Sequence, residues 1–185
     1  MPEKVDLSKF NNDHYKVGAG MLKQICWYVV SIMFFKTGFP FYPPKCYLLK
    51  LFGAKVGKNL SIKPHVTIKY PWKLTIGNNV WIGEQVWIDN LEMVTFRDNV
   101  CVSQGSLILC GNHNYKSPTF DLLTGPVTLN EGCWIGARCI ITAGVEMGSH
   151  SVLLSGSVAS KNLEPYKIYR THAAEFVKDR IIEQP

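Results

Sequence analysis

The sequence predicts an all-β solenoid whose rungs each have three short sides. Two observations predict it. The first is a six-residue period: apolar residues fall at Val56, Ile62 and Ile68, at Ile76, Ile82 and Ile88, and at Phe96, Val102 and Ile108. They return at Leu129, Ile135, Ile141, Met147, Leu153 and Ala159, making fifteen hexads in groups of three. The second is corner chemistry. Three residues after an apolar position lie Asn59, Asn79, Asn99, Gly105, Gly111, Gly132, Gly144, Gly156 and Asn162, the residue types that accept a left-handed backbone at least cost. A helix needs a period near 3.6 and a flat sheet a period near 2, and neither matches. Stacked repeats of this kind bury one continuous core.

The elements follow in chain order. Residues 1–55 form an N-terminal arm and an apolar segment. The arm, to about residue 20, is polar and loosely ordered at its start. Met21 to Phe35 is dense in apolar and aromatic residues and reads as a helix. Lys23 and Lys36 bracket a stretch shorter than the roughly 20 residues of a membrane span. It lacks a small-residue cleavage site and follows acidic residues, so it is not read as a signal peptide. Two readings stay open: a helix that caps the first rung, or an interfacial helix that holds residues 21–52 against a membrane. Pro40, Pro43 and Pro44 end any helix and lead through Leu48, Leu49 and Phe52 into the first rung. The solenoid spans 56–164, with two extra residues after Ile68 and after Ile88 and a long insertion, 112–128, after Ile108. Residues 165–185 are a tail in which Ala173 to Ile182 reads as a short C-terminal helix.

With 185 residues the chain is one domain with a substantial core. A formal charge of +6 favours anionic partners, such as phosphorylated cofactors or an acidic membrane surface. No basic run interleaved with aromatics follows residue 50, so nucleic acid is not an expected partner. Cys101, Cys133 and Cys139 occupy solenoid-wall positions and no CxxC occurs, which suits free thiols in a reducing cytoplasm.

A solenoid of this type has little concave surface, so the chemistry is expected in the insertion. Its segment Cys110-Gly111-Asn112-His113-Asn114-Tyr115 holds the loop's one histidine. His65 and His150 are corner residues, His14 lies in the arm and His172 in the tail.

The matches Leu51-Phe52-Gly53-Ala54, Tyr70-Pro71-Trp72-Lys73-Leu74, Trp81-Ile82-Gly83-Glu84, Ser103-Gln104-Gly105, Gly111-Asn112-His113-Asn114-Tyr115 and Trp134-Ile135-Gly136-Ala137 carry a resemblance. Together they make the chain similar to the hexapeptide-repeat acyltransferases, which fold as a left-handed parallel β-helix. The likeness is close to galactoside, maltose and nodulation-factor O-acetyltransferases, and closer still to acetyltransferases of colanic acid and other exopolysaccharide clusters. The resemblance implies acetyl-CoA as co-substrate, no metal, and a homotrimer with a site at each interface. It implies His113 as general base, taking a proton from a sugar hydroxyl as that oxygen attacks the thioester. The family's acceptor positions fall on Gln85 (an Asn-to-Gln departure), Asp89 and Asn90, beside Asn114, Tyr115 and the channel tryptophan Trp134. Cofactor contacts fall on Ala143, Gly144, Ser155, Gly156 and Ser157, with Lys161, Lys167 and Arg170 near the phosphates. The usual Gly-Asn-Pro-Ala turn is replaced by Arg170-Thr171-His172-Ala173, a departure at the nucleotide end. The expected acceptor is a small or lipid-linked sugar of surface-glycan biosynthesis, met in the cytoplasm or at the inner face of the membrane. Alternatives are N-acetylation of an amino sugar or xenobiotic, and a non-catalytic solenoid that binds glycans or proteins. Zinc carbonic anhydrases share the solenoid, but their pair of histidines five residues apart has no counterpart here.

Overall fold

A computed structural model describes residues 4–171 and forms a parallel β-helix capped by two helices. Its first face is a five-stranded sheet of Lys55–Val56, Leu74–Ile76, Val94–Phe96, Val127–Leu129 and Glu146–Met147. The second face has six strands: Ser61–Ile62, Trp81–Ile82, Cys101–Val102, Trp134–Ile135, Val152–Leu153 and Ile168–Tyr169. The third has five: Thr67–Ile68, Trp87–Asp89, Leu107–Leu109, Ile140–Ile141 and Val158–Ala159. Strands this short can turn only one residue inward, because successive side chains alternate between faces. The register places those residues directly over one another, as in Ile62, Ile82, Val102, Ile135 and Leu153. Fourteen of the fifteen apolar hexad positions are buried; Val56, in the first rung, is half-buried.

The corners behave as the spacing predicts, with additions. His65, Gln85, Arg138 and His150 also take positive φ, between 55° and 59°, whereas Gly111 and Asn162 do not. Along the edge between the first and second faces, Asn59 Nδ2 donates to Asn79 Oδ1 (2.9 Å) and Asn79 Nδ2 to Asn99 Oδ1 (3.2 Å), a ladder that repeats with the rungs. The cysteines are free thiols. Cys133 and Cys139 fill wall positions, each with its sulfur 3.1 Å from a carbonyl oxygen, of Gly148 and Leu154 respectively.

The first rung donates its amides to the second, as Ser61 N does to Val80 O and Thr67 N to Val86 O, which leaves first-rung carbonyls facing the open end. An uncovered sheet edge is a template for aggregation. Here the helix α1 (Met21–Val30), which continues as a wider π-turn through Ser31–Phe35, covers it. Trp27 is buried against Phe35 and Phe52, and its Nε1 donates to Ile68 O at 3.0 Å. A second helix, α2 (Tyr42–Leu51), adds Lys45 Nζ to Lys63 O (3.2 Å) and Ile62 O (3.4 Å). Lys45 is fully buried, and desolvation holds its ammonium below the usual lysine pKa.

These contacts show the apolar segment capping the first rung. They also correct the reading of the prolines: Pro43 and Pro44 open α2 rather than ending a helix, because the first-turn amides of a helix need no intrahelical partner. The solenoid runs past residue 164, since Ile168–Tyr169 pairs with Val152–Leu153. The helix expected over residues 173–182 lies outside the described residues. No described helix is long and apolar enough to cross a membrane.

Trp27→Phe keeps an aromatic ring but removes the donor to Ile68 O, leaving a buried carbonyl without its partner. The variant is expected to lose about 1–3 kcal/mol in urea-induced unfolding; an unchanged midpoint would show that the indole N–H does not hold the cap.

Candidate active site

Every departure from the six-residue count falls at one corner, between the third and first faces. The steps from Ile68 to Ile76 and from Ile88 to Phe96 carry extra residues, and the step from Ile108 to Leu129 carries the insertion. The insertion leaves the corner as an antiparallel hairpin of Gly111–His113 and Leu122–Thr124, with His113 opposite Leu122. Glycines at its root permit close approach: a Cβ on Gly111 would meet Leu91 Cδ1 at 2.6 Å, and one on Gly125 would meet Gly144 N at 2.8 Å.

The hairpin turn orients His113. Asn114 N donates to Asp121 O (2.8 Å), and Thr119 Oγ1 donates to Asp121 Oδ1 (2.6 Å), holding that carboxyl below the usual range. Phe120 takes a left-handed backbone, φ 53°, an unfavourable conformation for a bulky residue. Its carbonyl lies 2.9 Å from His113 Nδ1, and its ring stacks on the imidazole at 4.4 Å and 10°. A carbonyl only accepts, so the proton of the neutral ring sits on Nδ1 and the lone pair on Nε2. That is the tautomer a general base requires.

His113 faces a cleft of about 430 Å³ shared with Tyr15, Lys69, Asp89 and Asn112. Asp89 ends its strand on the third face, and Lys69 stands one rung before it with Nζ 2.8 Å from Asp89 Oδ1. That oxygen is closed off from solvent and receives no well-directed hydrogen bond, so the pair is a charge contact. The N-terminal arm forms the remaining wall. Asp6 N donates to Pro118 O (2.8 Å), and Tyr15 OH donates to Leu91 O (2.8 Å). Lys73 Nζ donates to Leu91 O (2.6 Å), and the Phe10 ring lies 5.8 Å from that of His113. Burial first, then Tyr70, Glu92 and Asp89, push the Tyr15 phenol well above its usual range, so it remains a hydroxyl. Burial likewise pushes the Cys110 thiol up to about 11, which keeps it protonated and unsuited as a nucleophile.

The structure brings His113 and Asp89 together and separates others expected with them. Asn90 is buried as a brace, its Oδ1 accepting from Tyr70 N (2.9 Å) and its Nδ2 donating to Tyr70 O and Lys73 O, so it has no free group for an acceptor. Gln85 occupies a left-handed corner at the far end of the Trp87–Asp89 strand, outside the cleft. Asn114 Oδ1 accepts from Lys116 N within the hairpin turn, and Tyr115 is exposed there. Trp134 stands on the second face, donating to Ser103 Oγ (3.1 Å), outside the His113 cleft.

Of the positions expected to meet a cofactor, Ala143 and Gly144 adjoin the hairpin root, while Ser155 and Gly156 lie exposed on the other edge of the third face. A Cβ on Gly144 or Gly156 would meet nothing, so both edges have open space. Ser157 departs from the expectation: its side chain is buried and accepts from Thr171 N (3.2 Å). Lys161, Lys167 and Arg170 are exposed. Among the described residues no three His, Cys, Asp or Glu side chains converge as a metal site.

Lys69, Tyr15 and Phe120 are site residues that the sequence reading missed. Lys69 had a signal, since it precedes Asp89 by one twenty-residue rung. Tyr15 and Phe120 had none, because neither belongs to the repeat.

The chain is 33% identical over 177 residues to the colanic acid biosynthesis acetyltransferase WcaF of Escherichia coli K12, covering 95% of this chain and 97% of that protein. It is 30% identical over 121 residues to the galactoside O-acetyltransferase of the same strain, covering 64% of this chain and 60% of that one. In fold it matches a hexapeptide-repeat acetyltransferase of Vibrio cholerae, crystallised with acetyl-coenzyme A. The TM-score is 0.74 at 15% identity, over 87% of this chain and 90% of that one. No family profile matches the chain.

The Phe120 carbonyl makes a spectroscopic prediction. In ¹⁵N-resolved spectra of the neutral side chain, His113 is expected to show a protonated Nδ1 and an unprotonated Nε2. The opposite tautomer would remove the geometric basis for proton abstraction at Nε2.

Proposed function

The chain belongs to the hexapeptide-repeat acetyltransferase family, and from that premise we propose that it transfers the acetyl group of acetyl-CoA to a sugar hydroxyl, with His113 as general base. The observation that carries the reading is the His113–Phe120 contact, which leaves Nε2 as the ring's acceptor. The acceptor O–H gives its proton to Nε2 as its oxygen attacks the thioester carbonyl. The tetrahedral intermediate then collapses with cleavage of the C–S bond, and the imidazolium returns the proton to the leaving thiolate. Direct transfer needs no enzyme nucleophile, in keeping with the protonated Cys110. Asp89, paired with Lys69, is the acceptor-binding carboxylate of this reading. The donor follows the third face, with Ala143 and Gly144 on one edge, Ser155 and Gly156 on the other, and Lys161 and Arg170 toward its phosphates.

Assembly as a homotrimer fits the outer surfaces. The first face presents Lys55, Thr75, Thr95, Thr128 and Glu146 to the outside, a polar stripe. The second presents Trp81, Cys101, Trp134, Val152 and Ile168, and the upper third face Leu107, Ile140 and Val158. Apolar ladders of this length call for coverage by neighbouring copies. Trp134, on the second face, then lies at a subunit boundary.

His113→Ala is expected to lower kcat by about 10²–10⁴-fold, with acetyl-CoA affinity unchanged in calorimetric titration. A variant that transfers at the normal rate would return the solenoid to a binding role. Light scattering is expected to give three times the 20.9 kDa chain mass; a monomer mass would remove the shared site.

A further inference from the structure

A general base does not by itself distinguish a sugar hydroxyl from water, and water outnumbers any acceptor. Which of the two reaches Nε2 is decided by access. In this molecule a segment outside the repeat borders that access. Phe10, Asn12, Tyr15 and Val17 of the N-terminal arm line the His113 cleft, and the Phe10 ring lies 5.8 Å from the imidazole.

The arm is held unevenly along its length. Residues 7–14 are exposed, and among the described residues no hydrogen bond ties them to the solenoid. Upstream, one backbone bond reaches the hairpin, from Asp6 N to Pro118 O. Downstream, the bonds converge on Tyr15, Lys16 and Val17. Trp72 Nε1 donates to Val17 O at 2.8 Å. An ammonium group has three N–H donors, and that of Lys73 meets three acceptors: Leu91 O (2.6 Å), Lys16 O (2.9 Å) and Tyr15 OH (3.2 Å). It also lies 4.6 Å from the centroid of the Tyr15 ring. Among the described residues Lys73 pairs with no carboxylate. One cation thus joins the arm to two corner segments of the solenoid. Asn90 braces its backbone, donating from Nδ2 to Lys73 O at 3.0 Å.

We propose that residues 6–17 are a strap that keeps water from His113 while bound acetyl-CoA awaits its acceptor, and that Lys73 is the positioning residue that clamps it. The proposal rests on the acyltransferase reading and adds to it the residue that controls which nucleophile is used. With the strap open, water gives a proton to Nε2 as its oxygen attacks the thioester carbonyl. The C–S bond then breaks, the imidazolium returns the proton to the thiolate, and acetic acid and free CoA leave.

CoA release from acetyl-CoA, followed by thiol assay without any acceptor, reads this directly. Lys73→Met keeps the stem and removes the donors. It is expected to raise acceptor-free hydrolysis by about tenfold or more, the opening that loss of charge-assisted hydrogen bonds brings. Trypsin cleavage after Lys9 is expected to quicken in parallel, with acetyl-CoA affinity unchanged as the fold control. Lys73→Arg, which keeps the charge and the donors, is expected to restore slow hydrolysis. Phe10→Ala, at an exposed position outside the clamp, is expected to raise hydrolysis in the same direction and keeps the test open if Lys73→Met does not fold. His113→Ala in either background is expected to abolish the gain. Native-level hydrolysis in the variants, or a gain that survives His113→Ala, overturns the proposal. If the native protein binds acetyl-CoA and the variants show no gain, this inference alone falls. If the native protein binds no acetyl-CoA, the acyltransferase reading falls with it.

Discussion

Rung-on-rung stacking is the constraint on which the rest of the molecule depends. Each strand is two or three residues long and cannot hold its conformation alone; it is stable because an identical ladder lies before and after it. The inward residue of one rung packs on its counterpart a rung away, and the amides of one rung bond the carbonyls of the next. A change in residue count within a face would break both sets of contacts at once. Extra residues are therefore tolerated only at corners, and in this chain they collect at a single corner.

That collection is how the cleft is built. The first extra segment supplies Lys69 and Tyr70, the second Asp89 and Leu91, and the third the His113 hairpin. Because the rungs beneath are in register, the three segments are stacked without any long-range search by the loops themselves. The scaffold thereby fixes the approach of Lys69 to Asp89, while the hairpin fixes His113 internally through Phe120. The strained backbone of Phe120 belongs to this second device: the same conformation aims its carbonyl at Nδ1 and lays its ring on the imidazole.

A stack of parallel strands has two ends, and the N-terminal end exposes carbonyls that must be satisfied. Trp27 and Lys45 satisfy them with side-chain donors, drawn from two helices laid across the opening. Covering an edge in this way uses only one side of α1. Its other side carries exposed apolar residues, among them Met21, Ile25 and Val29.

The sequence by itself determined the fold, the core and the place of the insertion that carries the candidate site. The contacts that make a rung are periodic: residue n meets residue n ± 20 through the first rungs, and a repeat of apolar and corner residues records that arrangement directly. His113 was legible because the insertion breaks the period at one place. Only the tertiary structure decided what lies outside the repeat. Asn90 and Gln85 sit beside Asp89 in the sequence, yet one is consumed as a buried brace and the other belongs to a distant corner. Pro43 and Pro44 begin a helix because its first turn has amides to spare. Tyr15 reaches the cleft across 76 residues of sequence to Leu91. Such contacts join segments with no common period, so no spacing in the chain encodes them; they follow from which surfaces the finished solenoid leaves uncovered.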